Sequence, residues 1–140
     1  MDRLLEFVSH HPWLATGTAF AVALLLVYEM RARAESQFAV SPQELIRLMN
    51  QGALLLDLRP QDQFAAGHLA GARQMSGEAL LSAGDTLKKH KGKTVVVYDE
   101  AGSVSAAAAR QLIAQGFTRA FTLRGGVAAW RSDNLPLERA

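Results

Sequence analysis

Two short runs, Ala53-Leu-Leu-Leu-Asp57 and Thr94-Val-Val-Val-Tyr-Asp99, limit what this chain can fold into more than any other feature. Each is continuously apolar and ends in an acid. That is the pattern of a strand buried on both faces of a parallel sheet, since a strand with one wet face alternates instead. Covering both faces takes helices, and the sequence supplies them between the strands. Ser41-Pro42-Gln43-Glu44 opens a short one, with serine as N-cap, proline at the first helical position and glutamate three residues after the cap. Leu45, Ile46, Leu48 and Met49 give its apolar face, and Gly52 ends it. Gly77 to His90 and Ser103 to Gln115 read as two more helices, the second with Leu112 and Ile113 turned inward and Gly116 as its stop. Ala120 to Leu123 is a third strand, and Phe38 to Val40 and Ala72 to Met75 are candidates for edge strands. Alternation of strand and helix implies right-handed crossovers, so residues 38–140 are expected to form an α/β domain with a mostly parallel sheet flanked by helices on both faces.

The segment before this domain is of another kind. From Pro12 to Tyr28 there is no charged residue, and a helix of that length lies near the short end of what crosses a hydrocarbon core. The chain therefore divides into an N-terminal segment (1–11), a transmembrane helix (12–30), a juxtamembrane linker (31–37) and the domain. Trp13 and Tyr28 stand at opposite ends of the span, where amphipathic rings favour the headgroup zone. Arg31 and Arg33 follow it, so the domain is expected on the cytoplasmic side of a bacterial inner membrane in a single-pass arrangement, with export left open by the modest charge asymmetry against Arg3 on the other flank. Two other readings compete. Ala32-Arg33-Ala34 resembles a signal peptidase site, but the charges of Glu29, Arg31 and Arg33 crowd it. A buried core helix is the other, and the absence of any charge from 12 to 28 counts against it, because helices of soluble proteins usually keep a polar face. Ala15, Ala19 and Ala23 share one helical face, with Gly17 and Ala21 on a neighbouring line. Such faces let helices approach closely in lipid and would allow a homodimer through the span, though alanine is also simply common in membrane helices.

Charge and cysteine usage exclude several functions. Fifteen basic and 13 acidic side chains leave a formal charge of +2, without the dense basic stripe that nucleic acid binding requires. There is no cysteine, which removes disulfides, thiolate metal sites, persulfide chemistry and cysteine nucleophiles together. No cofactor and no metal is expected. The only dense basic run, Lys88-Lys89-His90-Lys91-Gly92-Lys93, either complements the carbonyl end of a helix or meets anionic lipid headgroups.

Three stretches in order carry a family resemblance. The first is Leu56-Asp57-Leu58-Arg59, followed by Phe64-Ala65-Ala66-Gly67-His68-Leu69-Ala70-Gly71-Ala72. The second is Val97-Tyr98-Asp99-Glu100-Ala101-Gly102-Ser103-Val104-Ser105, leading into an alanine-rich helix. The third is Leu123-Arg124-Gly125-Gly126-Val127-Ala128-Ala129-Trp130. Together they resemble the rhodanese-like family, across almost the whole domain. The resemblance implies that the loop after the Val-Val-Tyr strand is the active loop, which in the family begins with a cysteine and ends with arginine and serine at a helix start. Here Asp99 holds the cysteine position and Val104 the arginine position, and only Gly102 and Ser105 keep the pattern. Amides at a helix N-terminus cradle an anion, in the family a thiolate or persulfide, and the arginine adds charge for an anionic substrate. An aspartate cannot carry a sulfane sulfur.

The expected site is therefore a degenerate loop, Asp99, Glu100, Ala101, Gly102, Ser103, Val104 and Ser105, used for binding rather than catalysis. Asp99 and Glu100 are expected to give it an acidic surface, with a carboxylate partly filling the amide cradle. The resemblance gives Asp57, Arg59 and His68 supporting roles, Arg59 pairing internally and His68 belonging to a packed turn rather than serving as a general base. Trp130 is expected to close the core. The function expected is a membrane-anchored, catalytically inactive module that binds a membrane or membrane-associated protein. Two alternatives stand beside it. Asp99 could act as a nucleophile as in aspartyl-phosphate phosphohydrolases, whose second acid would fall at position 101, here Ala101. Alternatively, the loop docks a sulfur-carrier protein that brings its own cysteine.

Overall fold

A computed structural model describes residues 1–139 as two compact units, one from Met1 to Gln37 and one from Phe38 onward. The first contains α1 (Asp2–His10) and α2 (Pro12–Ser36). Within α2, Pro12–Arg33 is long and apolar enough to cross a membrane, with a mean hydropathy of 1.6 over its most apolar window. Its 22 residues would reach about 33 Å at the α-helical rise, close to the ~30 Å hydrocarbon core. Two expectations change here. Residues 31–37, read as a linker, continue the helix as far as Ser36, because Arg, Ala and Glu are good helix formers and no glycine or proline intervenes. Residues 2–10, read only as a leading segment, are a helix of their own.

In the second unit the chain runs β1 (Ala39–Val40), α3 (Pro42–Asn50), β2 (Leu54–Asp57), α4 (Gln61–Ala66), β3 (Arg73–Gln74), α5 (Gly77–Leu80), α6 (Ala83–Thr86), β4 (Thr94–Tyr98), α7 (Ser105–Ala114), β5 (Arg119–Leu123) and α8 (Gly126–Ser132). The five strands form one sheet in the order β1-β5-β4-β2-β3, every pairing parallel. Because side chains alternate along a strand, β2 and β4 feed two cores. Leu54, Leu56, Val95 and Val97 pack with Leu80, Ala83, Ala109 and Leu112 from α5, α6 and α7. Leu55, Val96 and Tyr98 pack with Leu45, Val127 and Trp130 from α3 and α8. The Ser41 cap forms as its sequence implies, its hydroxyl accepting from the Glu44 amide at 3.2 Å.

The expected single helix from Gly77 to His90 is broken into α5, α6 and a 3-10 turn over Lys88–His90. The cause lies across the structure. In an unbroken helix the Gly84 amide would bond the Leu80 carbonyl. Instead the Gln115 side chain sits between them, accepting from Gly84 N at 2.6 Å and donating to Leu80 O at 2.8 Å. A side chain inserted into the ladder satisfies both backbone groups and permits the break. Ile113 also departs from expectation. It is exposed, since the buried line of α7 is Ser105, Ala108, Ala109 and Leu112, and one residue further turns the side chain about 100° away.

Candidate functional site

Parallel strands bring the loops after β2, β4 and β5 to one edge of the sheet. The helix after β4 packs in one core and the helix after β5 in the other. Adjacent strands whose chains leave to opposite faces open a crevice at their carboxyl ends, the usual place for a site in such sheets. The loop 99–104 lies there.

Asp99 organises that loop. Its Oδ1 accepts from the Gly102 amide at 2.6 Å, and its Oδ2 accepts from the Val104 amide at 2.9 Å and from the Ser103 hydroxyl at 3.4 Å. The carboxylate is only 5% exposed. It thus occupies the ground that an anion held by these amides would take. The loop backbone is fixed from the other side by α8, whose first amides, Val127 N and Ala128 N, donate to the carbonyls of Asp99 (3.0 Å) and Glu100 (2.9 Å). Such close approach needs Gly126, at a φ of +62°. A Cβ there would lie 2.5 Å from the Asp99 carbonyl oxygen.

Glu100 is held between two arginines. It accepts from Arg131 Nη1 at 2.6 Å and from Arg59 Nη1 at 3.3 Å. Arg59 is buried, and its Nε and Nη2 grip the fully buried Asp57 carboxylate, with Nη2–Oδ2 at 2.8 Å. Nη2 also donates to the Gly67 carbonyl. Burial by itself would lower the Arg59 pKa. The hydrogen bond and charge of Asp57, with Tyr98 and Glu100 behind them, outweigh it and hold the guanidinium above its ordinary value. Asp57–Arg59–Glu100–Arg131 is one continuous chain of alternating charge.

The acidic surface expected from Asp99 and Glu100 is therefore not what this edge presents. One carboxylate is buried on backbone amides, and the other, 49% exposed, is paired twice. Besides the paired Glu100, the loop shows to solvent Ala101, Ser103 and Val104, the last 60% exposed. Ser105 is buried, and its hydroxyl has no hydrogen-bond partner among the described residues. His68 stands apart from the loop contacts. Its Nδ1 donates to the Phe64 carbonyl at 2.9 Å, and its ring stacks on Phe64 with centroids 4.0 Å apart. Trp130 is buried and donates from Nε1 to Pro136 O. Among the described residues no three His, Asp or Glu side chains converge to hold a metal.

Arg131 and Gly126 matter to the loop, and sequence reading gave neither a role there. Gly126 was visible only as half of a glycine pair, and nothing local marks Arg131 as a partner of Glu100. The basic run lies elsewhere. With Arg73, Asp85 and Thr86, its members Lys88, Lys89 and His90 line a cavity of about 710 Å³. Burial and the charges of Lys93, Arg73 and Lys89 push the His90 pKa down.

Tyr98, at the end of β4 beneath the loop, is fully buried, and its hydroxyl accepts from the Leu69 amide at 3.2 Å. Burial raises its pKa well above the ordinary tyrosine range. The sign follows directly. The folded state disfavours tyrosinate, so stability is intact below the ordinary tyrosine pKa and falls as pH rises above it. In the domain from Phe38 onward Tyr98 is the only tyrosine. Its tyrosinate absorbance should therefore appear together with unfolding, monitored by circular dichroism. A smooth titration near pH 10 in the folded domain would contradict its burial.

A parallel α/β sheet with this loop at its carboxyl edge and a glycine-paired helix bracing it defines the class, and comparison supplies the family. The rhodanese-like domain model matches residues 41–133. The chain belongs to the rhodanese-like family. It is 33% identical over 141 residues to the uncharacterized protein YibN of Escherichia coli K12, covering 99% of both chains. It is 31% identical over 93 residues to the thiosulfate sulfurtransferase GlpE of Pseudomonas entomophila, covering 66% of this chain and 84% of that one. Among solved structures, the rhodanese-like domain of the Alr3790 protein from Anabaena superimposes with a TM-score of 0.64 at 25% identity, covering 74% of this chain and 80% of the other.

Proposed function

We propose that this chain is a membrane-anchored, catalytically inactive rhodanese-like protein whose altered loop binds a membrane or membrane-associated protein. The carrying observation is the Asp99 carboxylate, seated on the amides of Gly102 and Val104 at the cysteine position of the family. A cradle filled from within is ordered without ligand and has no vacancy for a thiosulfate-like anion. With Glu100 neutralised by two arginines and Val104 in place of the family's arginine, the accessible part of the mouth joins the small side chains of Ala101 and Ser103 and the apolar Val104 to a balanced Glu100–Arg131 pair. Such a surface suits a protein side chain better than a small anion. The charge-free stretch of α2 supports the membrane location, and Arg31 and Arg33 after it support a cytoplasmic domain. A nucleophilic role for Asp99 is disfavoured, because both its oxygens are engaged and it is buried. Docking of a sulfur-carrier protein remains a second reading of the same surface, favoured by the thiosulfate sulfurtransferases among the relatives.

The test is capture of partners from membranes by crosslinking, comparing the native chain with Val104→Asp. Position 104 is exposed, so the fold should survive, while a charge placed in an apolar contact should lower capture roughly tenfold or more. Undiminished capture by a folded Val104→Asp protein would move the interface off this loop. A captured set made up of persulfide-bearing proteins would select the second reading.

A further inference from the structure

The nine residues of α1 sort by side. At 100° per residue, Leu4, Leu5, Phe7 and Val8 fall within one arc of about 160°, and Asp2, Arg3, Glu6, Ser9 and His10 fill the remainder without exception. The apolar side chains are uncovered, Leu4 and Leu5 being 66% and 69% exposed and Phe7 and Val8 about half. A helix this short does not persist in water on its own, so this face implies a covering. What covers it is indicated by continuity. α1 ends at His11, whose backbone (φ −133°, ψ 60°) leaves the helical region, and α2 begins at Pro12 with the exposed Trp13 beside it. The helical run is interrupted where the charge-free run starts, rather than carried from α1 into it. Phe7 and His11 rings, with centroids 5.2 Å apart, meet across the interruption.

We infer that α1 is an interfacial helix, lying along the membrane surface with Leu4, Leu5, Phe7 and Val8 in the acyl boundary and Asp2, Glu6 and Ser9 toward water. The inference rests on the membrane reading of α2. Asp2 and Glu6 against a single Arg3 give the polar face no net positive charge, so apolar burial and not attraction to anionic headgroups holds it. The lipid requirement is thus for an acyl surface of any charge. Together with Trp13, the helix would fix the depth at which the span begins and resist sliding of α2 along the bilayer normal.

Because the chain has no cysteine, a nitroxide can be placed at one introduced thiol at a time. The full chain carrying Leu4→Cys, Val8→Cys, Glu6→Cys or Ser9→Cys would be reconstituted into phosphatidylcholine vesicles, with and without phosphatidylglycerol, with Leu25→Cys as the probe of the span. Labels at positions 4 and 8 should collide with dissolved oxygen several-fold more than with a water-soluble nickel chelate. Labels at 6 and 9 should show the reverse, and anionic lipid should change neither. Equal access of the chelate to all four positions would overturn the inference, as would shielding of 4 and 8 from both reagents, which means a protein cover. A pattern that appears only with phosphatidylglycerol would overturn its apolar basis. A chelate-accessible label at 25 would instead remove the span itself, and the inference with it.

Discussion

The Arg59→Ala domain is expected to lose about 3 to 5 kcal/mol of stability, a large share of the 5 to 15 kcal/mol typical of a domain. The reason lies in what remains after the change. Asp57 is fully buried and receives Nε and Nη2 of Arg59 as well as its backbone amide. Removing the guanidinium leaves a carboxylate in the interior with the Arg59 amide and the neighbouring Tyr98 hydroxyl but no cation, and it takes a donor from the Gly67 carbonyl and from one side of Glu100. Arg59→Lys should recover only part of the loss, since an ammonium is a point donor and cannot span the same three acceptors. Asp57→Asn combined with Arg59→Met should be less damaging than Arg59→Ala alone, because no unpaired charge is then buried. Denaturant unfolding of the domain from Phe38 onward measures all three. An Arg59→Ala loss below about 1 kcal/mol, the range of exposed ion pairs, would mean that Asp57 finds water or another partner.

Thiosulfate-to-cyanide sulfur transfer should be undetectable in the native chain and should appear, weakly, in Asp99→Cys. The substitution places a sulfur where the Gly102 and Val104 amides already point, and such amides favour a thiolate. Glu100 does not forbid it, being balanced by Arg59 and Arg131. What the single variant lacks is a cation for the incoming anion at position 104. Adding Val104→Arg should raise kcat/KM by roughly tenfold or more, since a hydrogen bond to a charged group contributes about 1.5 to 3 kcal/mol. Thiocyanate formation in a coupled colour assay reads all three proteins. Turnover by the native chain would defeat the inactive reading outright. Equal activity of the single and double variants would mean that Arg131, or another cation near the mouth, already serves the substrate.

The sequence was most readable where a structural cause was local. The unbroken apolar runs of β2 and β4 announced strands covered on both faces, and Ser41 with Pro42 announced the start of α3, because each signal involves residues within one turn or one strand of each other. The features that escaped have distant partners. Glu100 looked like a free acid because Arg59 and Arg131 stand 41 and 31 residues away. The break between α5 and α6 was hidden because its cause, Gln115, lies 31 residues beyond Gly84. The helix α1 was missed for another reason. Its apolar spacing at Leu4, Leu5 and Val8 is legible, but it sits next to a much stronger apolar signal that dominates that end of the chain.

The Gln115 insertion also bears on the order in which the domain acquires its shape. A side chain that completes two backbone bonds of a remote segment can do so only once its own helix has docked. Until then only the weak helix propensity of Ser82 and Gly84 favours a break there, and nothing holds the Leu80 carbonyl and the Gly84 amide apart. The break between α5 and α6 is thus completed only in a chain whose α7 is docked. Anything that loosens the end of α7 would be expressed first as a change of conformation some thirty residues upstream, on the side of the sheet where the basic cavity lies.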